Sequence, residues 1–316
     1  MKKLDTVIQA AKAAGDGMTD TEHRASRSAR QKRRIETVVH GIFLLLGLVT
    51  IACVGMITVY LVVSGIPAIR EIGLVPFLFG TSWESTAADP KFGILPFILT
   101  SVYGTAGAVV LGVPIGFLVA VYLAKIARPR VKSLVCGAVG VLAGIPSVVY
   151  GLVGMMVLVP GIRELFGVPD GASLLAAILV LAVMILPSVI NVSVTALEAV
   201  PKEYEDASLA LGATPEETYF RVSVPAARSG IAAAIVLGVG RAMGEAMAVV
   251  MVSGNVANMP GLFESVRFLT TAVSSEMGYA SGLQRQALFS IALVLFLFIL
   301  LINAALNLFL KHEKEK

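Results

Sequence analysis

Residues 206–225 read DASLALGATPEETYFRVSVP, and the capping residues in this stretch predict two short helices joined by a tight turn. Gly212 suits the left-handed position at which many helices end. Thr214 and Glu217 have the spacing of a capping box, with Pro215 at the first helical position between them. The sequence therefore predicts one helix that ends at Gly212 and a second that begins after Thr214.

The composition around this stretch is that of a membrane protein. Of the 316 residues, 57% are hydrophobic and 15% are charged, and the mean hydropathy is +0.86. A soluble core of this length needs far fewer apolar side chains. The formal charge of +4 does not indicate nucleic-acid binding, because the basic residues stand in short blocks beside apolar runs. Such blocks are typical of a chain oriented in a lipid membrane.

Six apolar segments are long enough to cross a hydrocarbon core of about 30 Å. Internal Pro114 and Pro146 predict kinks in the second and third of them. The fold class is therefore an all-α integral membrane protein with six transmembrane helices. The predicted spans are 38–63, 95–123, 134–159, 174–197, 229–253 and 287–310.

The distribution of basic residues predicts the orientation of these spans. One side, which carries both termini, holds 19 of the 25 Lys and Arg residues, and the loops of the other side hold five. Because positive loops stay inside, both termini are expected in the cytoplasm. The predicted divisions are a polar cytoplasmic tail 1–37, an outer loop 64–94, a five-helix core 95–310 with the cytoplasmic loop 201–225, and a tail 311–316.

The outer loop 254–286 contains a second, shorter helical pattern. Leu262, Val266, Leu269 and Val273 recur at helical spacing. A short amphipathic helix lying along the outer surface is therefore expected.

Two charged residues stand near the middle of the fifth predicted span. Arg241 is roughly 18 Å along the helix from either interface, and an arginine there costs about 2.5–3.5 kcal/mol on insertion scales. Glu245 follows at helical i,i+4 spacing, which would place both charges on one face. The pair is interpreted in two ways. It is a buried ion pair that fixes helix packing, or it lies on a path where Arg241 stabilises a passing oxyanion and Glu245 holds or releases the guanidinium.

Other polar residues of the spans also have two interpretations. Ser147 and Tyr150 flank the Pro146 break, where they line a cavity or belong to a packed kink. Asn191, Ser193 and Thr195 in the fourth span, with Asn303 and Asn307 in the sixth, contact a path or form hydrogen bonds between helices.

The loop 201–225 has the features of a rigid protrusion. Its second predicted helix presents the adjacent aromatics Tyr219 and Phe220, and Val224 and Pro225 lead directly into the fifth span. Such a rigid helix pair, or elbow, fits a groove on another protein and can transmit a movement of that protein to the membrane-spanning helices. The alternative is a re-entrant hairpin or a surface helix packed on the chain's own ends.

The same residues resemble a known family. The order Asp206-Ala207-Ser208, then Gly212, then Val222-Ser223-Val224-Pro225 resembles the coupling loop of ABC-importer permeases, in which Glu-Ala-Ala is usual and Ile and Leu precede the final Pro. Four further segments resemble the permeases of the phosphate-specific ABC importer, and the last resembles its C-type subunit. They are FGILPFILTSVYGT at 92–105, AGIPSVVYGLVGMMVLVP at 143–160, GRAMGEAMAVVMVSGN at 240–255 and ESVRFLTTAVSSEMG at 264–278.

This resemblance implies a type I permease fold and a set of partners. These are a second, A-type permease, a cytoplasmic ATPase dimer that uses ATP and Mg, an extracytoplasmic phosphate-binding protein, and phosphate itself. The chain would bind no cofactor of its own. The residues implied in coupling to the ATPase are Asp206, Ala207, Gly212, Thr214, Glu217, Tyr219, Phe220 and Pro225, with Phe220 as the candidate for insertion.

Several kinds of activity are not expected from the sequence. It contains no G-x-x-x-x-G-K-[ST] motif, no His or Cys cluster with metal spacing and no nucleophile with a base beside it, so an enzyme is not expected. The alternatives that stay open are a permease for molybdate, tungstate or sulfate, a secondary anion transporter or channel, and a membrane sensor or scaffold.

Overall fold

The computed structural model describes the backbone of residues 2–314 and the side chains of residues 36–305 and 308. The chain divides into two compact units, Met1–Tyr60 and Leu61–Lys316. Helix α1 (Lys2–Ile72) forms the first unit as far as Tyr60, and its last turns, from Leu61, belong to the second unit. Helix α1 continues through Pro67 to Ile72, nine residues past the predicted end of the first span. The predicted tails 1–37 and 311–316 lie almost wholly outside the described side chains.

The second unit is helical apart from one small hairpin. Strands β1 (Trp83–Glu84) and β2 (Lys91–Phe92) pair antiparallel, with Trp83 opposite Phe92. The helices are α2 (Leu74–Phe79), α3 (Leu95–Val121), α4 (Pro129–Gly144), α5 (Ser147–Val153), α6 (Val159–Phe166), α7 (Leu174–Glu198), α8 (Lys202–Ala210), α9 (Pro215–Thr218), α10 (Val224–Ala226), α11 (Arg228–Gly244), α12 (Met247–Val252), α13 (Leu269–Glu276) and α14 (Gly282–Lys314). Three π-helical turns, Tyr122–Ile126, Gly154–Leu158 and Tyr219–Ser223, follow α3, α5 and α9.

Five helical segments within the described residues are long and apolar enough to cross a membrane, and a sixth forms if one bent pair counts as a span. The members of that pair, Pro215–Ala226 and Arg228–Gly244, meet at 71°. The five segments are Glu36–Ile72, Leu95–Ile126, Ser147–Phe166, Leu174–Glu198 and Gly282–Ala305. The predicted class of a six-span helical membrane protein is confirmed, but two predicted spans are broken.

The third predicted span, 134–159, is interrupted rather than kinked. Helix α4 ends at Gly144, Ile145 and Pro146 are extended, and a new helix begins at Ser147. Pro146 has no N–H to donate and disfavours helical backbone at Ile145, so α4 cannot continue past this point and α5 begins only after Pro146. The candidate span in this region is therefore Ser147–Phe166, with α4 as a separate helix.

The fifth predicted span, 229–253, is also interrupted. Helix α11 ends at Gly244, and Glu245 is extended with ψ of 130° before α12 begins at Met247. The Glu245 carboxylate accepts a hydrogen bond from the Ala248 N–H at 3.0 Å. This contact satisfies one of the donors left free at the start of α12, which stabilises the break.

Helix α7 is the centre of the second unit. Its most apolar stretch is 61% buried within the protein, a larger share than in any of the other candidate spans. Gly112 and Gly116 of α3 lie against Ile185 and Val189 of α7, where an added Cβ would lie within 2.8–3.0 Å of these side chains. Small residues at these positions let the two helices approach closely, as in other membrane bundles.

We call the end of the molecule that carries residues 201–225 the inner end and the opposite end the outer end. At the outer end the predicted surface helix is wrong in both length and place. Helix α13 has only eight residues, and its Leu269 and Ala272 are fully buried. The preceding residues are extended and pinned to the start of α7, where Leu174 N–H donates to the Glu264 carbonyl at 3.1 Å.

A buried carboxylate holds the outer end together. Glu276 is 6% exposed and accepts hydrogen bonds from Trp83 Nε1 at 3.2 Å and from Gln284 Nε2 at 3.0 Å. It also forms a salt bridge with Arg267, which in turn donates to the Asn255 carbonyl at 2.8 Å. This network joins the β-hairpin, α13 and α14. Because the buried carboxylate is satisfied by several donors, the network makes this part of the structure rigid.

Candidate functional site

The predicted helix pair at the inner end is present. Helix α8 begins after Pro201 and ends at Ala210, and Gly212 has φ of +89°, the left-handed conformation that the sequence predicted. The Glu217 N–H donates to Thr214 Oγ1 at 3.3 Å, and the Thr214 N–H donates to Glu217 Oε2 at 3.2 Å. The predicted capping box is therefore confirmed. The second helix differs from the prediction because it combines α9, a π-helical turn and α10.

The loop exposes apolar side chains at this end. Leu211 is 90% exposed, Tyr204 is 56% exposed and Phe220 is 49% exposed. No residue of α8 is buried, so the predicted coupling residues Asp206 and Ala207 both face outward. Of the other predicted coupling residues, Gly212, Thr214, Glu217 and Pro225 are exposed, and Tyr219 is half-buried.

The inner face of the loop is polar and tightly bonded. Glu205 forms a salt bridge with Lys125, in the π-helical turn that follows α3, and accepts a hydrogen bond from Ser223 Oγ at 2.7 Å. Ser208 Oγ and Thr218 Oγ1 lie 2.9 Å apart and link α8 to α9. The elbow is thus fixed by side-chain bonds as well as by its caps.

The environment of Glu205 favours its charged form. Burial raises the pKa of this carboxyl, but hydrogen bonds from Lys125 and Ser223 and the charges of Lys125 and Lys202 outweigh burial and hold the pKa below its usual value. The family resemblance singled out Asp206 as the acid of this loop, whereas the buried ion pair is formed by Glu205. Lys125 is 80 residues away along the chain, so no local pattern announces the pair.

Arg241 lies beside a cavity of about 710 Å³ between α7, α11 and α14. Ser188 and Asn303 supply polar groups to its wall, and the other lining residues are Ala233, Val236, Leu237 and Gly240. The half-buried Arg241 forms no hydrogen bond or salt bridge with any side chain that the structure describes.

The predicted pair between Arg241 and Glu245 is absent. Because the backbone leaves the helix at Glu245, the i,i+4 geometry on which that prediction rested does not exist. The Glu245 carboxylate bonds instead to the Ala248 N–H, and the Glu245 carbonyl accepts from Thr270 Oγ1 at 2.7 Å. Glu245 thus connects α12 to α13. Its carboxylate does not neutralise the charge of the Arg241 guanidinium.

Tyr150 spans the break between α4 and α5. Its hydroxyl donates to the Leu142 carbonyl at 2.7 Å, and the same carbonyl accepts from the Ile145 N–H at 3.2 Å where α4 ends. Ser147 is half-buried at the first position of α5. The hydrogen bond of Tyr150 agrees with a packed break, but Tyr150 also lines a cavity of about 330 Å³, so both interpretations of this residue stay open.

The remaining polar residues contribute little to the Arg241 cavity. Thr195 Oγ1 donates to the Asn191 carbonyl within α7 at 2.9 Å. Ser193 Oγ is buried without a partner among the described residues. The prediction for Asn307 lies outside the described side chains. Asn303 is therefore the one member of the predicted set that lines this cavity in the described part of the chain.

The arrangement is suited to binding or guiding an anion. A guanidinium offers several fixed donors to an oxyanion, and Ser188 and Asn303 add neutral polar groups. Within the side chains that are described, no cluster of three or more His, Cys, Asp or Glu could hold a metal ion.

The fold and the capped inner loop together define a multi-pass membrane permease of an ABC importer. Residues 112–313 match the family of binding-protein-dependent transport system inner membrane components, and the chain belongs to this family. Its place is accordingly the inner membrane, and the family implies an ATPase and a substrate-binding protein as partners.

Two curated relatives cover most of the chain. The probable ABC transporter permease protein YqgH of Bacillus subtilis is 40% identical over 286 residues, which are 87% of this chain and 93% of that protein. The phosphate transport system permease protein PstC of Haemophilus influenzae is 33% identical over 293 residues, 86% of this chain and 91% of that protein.

A solved structure has the same fold. The inward-facing MetNI methionine ABC transporter matches with a TM-score of 0.56 and 22% identity, over 69% of this chain and 95% of that chain. At this level of identity the match supports the fold alone. The predicted type I permease fold is confirmed by this likeness and by the family match.

Proposed function

We propose that this chain is the C-type permease subunit of a phosphate importer. It forms the translocation path for phosphate together with a second, homologous permease. An extracytoplasmic binding protein delivers the phosphate, and a cytoplasmic ATPase dimer that uses ATP and Mg drives transport. The chain itself binds no cofactor, and both termini lie in the cytoplasm. Support for phosphate comes from relatives named as PstC that are 30–33% identical over most of the chain.

The observation that carries this proposal is the unpaired Arg241. A charge in the middle of a membrane protein is expensive, and such residues mark the paths of ions or substrates. Arg241 lacks a neutralising partner among the described side chains and faces a cavity rather than a packed core. A passing tetrahedral oxyanion supplies the missing negative charge, and the planar guanidinium donates two parallel hydrogen bonds to it. Transit needs weak binding, which a single arginine without further charges provides.

The inner loop receives the driving motion. Its exposed Tyr204, Leu211 and Phe220 fit an apolar groove on the ATPase, as other helical protrusions do. The residues that couple this loop to the ATPase are those predicted from the sequence, including Gly212, Thr214 and Glu217, which cap its helices. They are Asp206, Ala207, Gly212, Thr214, Glu217, Tyr219, Phe220 and Pro225. Phe220, half-exposed within the π-helical turn Tyr219–Ser223, is the inserted side chain.

Reconstitution with the second permease, the ATPase and the binding protein tests the proposal. We expect phosphate uptake into proteoliposomes that requires ATP and falls at least about tenfold in Arg241→Gln, the loss of roughly 1.4 kcal/mol of stabilisation during transit. Arg130→Gln, at an exposed position on the first turn of α4, is the matched control and should transport normally.

Three outcomes would contradict the proposal. Wild-type uptake by Arg241→Gln removes Arg241 from the path. Stronger competition by sulfate or molybdate than by unlabelled phosphate assigns the path to another oxyanion. Uptake by the chain without nucleotide or partners identifies a secondary transporter or channel.

A further inference from the structure

The salt bridge between Lys125 and Glu205 joins two elements that the chain connects only through a long detour. Lys125 belongs to the π-helical turn at the inner end of α3, and Glu205 lies on α8. The two side chains are 9% and 18% exposed, so water screens this pair less than an ordinary surface pair. Ser223 Oγ donates to the same carboxylate oxygen at 2.7 Å. The π-helical turn that precedes α10 is thereby part of the same cluster.

Packing between α3 and α11 is incomplete. A cavity of about 560 Å³ lies between them, lined by Val113 and Phe117 from α3 and by Ile231 and Ile235 from α11. Nearer the inner end, Val121 and Leu123 share a buried cluster with Ala227 at the start of α11, so apolar packing joins the two helices there and the salt bridge adds a polar link from the loop to the end of α3. The peptide chain, by contrast, links the loop directly to α11 through α10.

A displacement of the loop therefore has two covalent routes and one electrostatic route into the membrane. The covalent routes run through Pro201 to α7 and through α10 to α11, which carries Arg241. The electrostatic route runs from Glu205 to Lys125 and so to α3, which packs along the central α7. If the ATPase moves the loop, as the proposed function requires, the salt bridge makes α3 move with it.

We propose that Lys125 is a positioning residue for energy coupling, which ties α3 to the coupling loop through Glu205 so that α3 and α11 respond to the ATPase together. This inference rests on the proposed docking of the loop but not on the identity of the transported anion. Without the tie, α3 follows the loop only through its apolar packing on α7 and α11, and more ATP is hydrolysed for each opening of the path.

The first test measures coupling in the full complex reconstituted in proteoliposomes. We expect Lys125→Met to keep ATP hydrolysis while the phosphate moved per ATP falls at least about fivefold, the lower end of typical coupling between sites. The reversed pair Lys125→Glu with Glu205→Lys should recover most of that ratio, because the attraction is restored. A merely structural role would lower hydrolysis and transport in parallel. Lys132→Met is the matched control, since Lys132 pairs with Glu198 of α7 outside the loop.

The second test does not depend on the substrate. In the complex with its ATPase, hydrogen exchange is measured with and without a nonhydrolysable ATP analogue. We expect the analogue to change exchange at both 202–218 and 122–126 in the wild type. In Lys125→Met the change at 122–126 should vanish while that at 202–218 persists.

The results separate the two proposals. A wild-type complex that moves no phosphate overturns the proposed substrate, while the exchange experiment still decides the role of Lys125. A wild-type response at 122–126 in Lys125→Met overturns the inference. So does a wild-type ratio of phosphate to ATP in that variant. Should Lys125→Met prevent assembly, Glu205→Gln takes its place, because the amide keeps an acceptor for Lys125 and Ser223 without the charge.

Discussion

Glu276 shows how a single residue can organise one end of a membrane protein. Its carboxylate is almost completely buried and is bonded by Trp83, Gln284 and Arg267, which come from three different parts of the chain. The Arg267 guanidinium also lies 5.8 Å from the centre of the Phe97 ring, and this contact adds a cation–π attraction. Removal of the carboxylate would leave a buried cation without its partner.

We expect Glu276→Ala to lower the free energy of unfolding by about 3–5 kcal/mol, the usual cost of breaking a buried ion pair from one side. Thermal unfolding of the purified protein in detergent measures the effect. Glu71→Ala, at an exposed position of α1, is the control and should change stability by less than about 0.5 kcal/mol. Equal stability of the two variants would show that the outer network does not stabilise the fold.

The Glu205 carboxyl gives a second prediction at the scale of a residue. Its pKa is depressed in the folded protein, since the charge effects outweigh burial. The stabilising contribution of the charged form is therefore fully present above the ordinary glutamate pKa of about 4.3 and is lost as the pH falls through the lower folded value. Hydrogen exchange at 202–210 should be constant from neutral pH down to about pH 5 once the intrinsic rate is corrected for, and it should rise below about pH 4. In Glu205→Gln this rise should be absent, and an unchanged acid response in that variant would assign it to another group.

At the scale of elements, the two breaks set the shape of the second unit. Helix α5 packs against α12 through Gly151, where an added Cβ would lie 2.8 Å from the Ala248 Cα, and Gly154 lies equally close to Val252. Both helices begin directly after a break, at Ser147 and Met247. The outer halves of the two interrupted segments are thus packed on each other, while α4 and α11 extend from the other side of the breaks.

Tyr150→Phe tests which of the two interpretations of Tyr150 is correct. Loss of the hydroxyl removes one of the two donors to the Leu142 carbonyl, so for a packed break we expect the variant to unfold with about 1 kcal/mol less stability and to transport phosphate normally. Tyr103→Phe is the control, since Tyr103 is half-exposed on α3. Loss of uptake at full stability would place the Tyr150 hydroxyl on the transport path instead.

At the scale of the whole molecule, apolar length and local caps were sufficient to predict the class of the fold and the inner elbow. Gly212 and the Thr214–Glu217 box form as predicted because every atom involved lies within a few residues. Long apolar helices such as α7 are recognisable because no other structure satisfies their backbone in lipid. The resemblance of the coupling loop then identified the family correctly.

The errors arose where distant contacts decide the local structure. The 240–253 stretch is apolar enough for one helix, yet Glu245 bonds to Ala248 and Thr270 and divides it. Arg241 and Glu245 consequently do not pair. The outer segment 262–273 has helical periodicity, but its first part is held extended against the start of α7 by Leu174 and Leu175. The bond from Ala248 is local, but Thr270, Leu174 and Leu175 lie tens of residues from the segments they hold, and sequence spacing contains no information on such contacts.

The doubly capped elbow has a consequence for the strength of its contact with a partner. Association normally loses free energy when flexible side chains and loops become ordered at the interface. Here the turn between α8 and α9 is already held by Gly212, the capping box and the Ser208–Thr218 bond. Binding to a groove therefore does not have to order this segment, so a few apolar side chains at its tip suffice for stable binding. Loosening the cap should weaken that binding although every side chain that contacts the partner is still present.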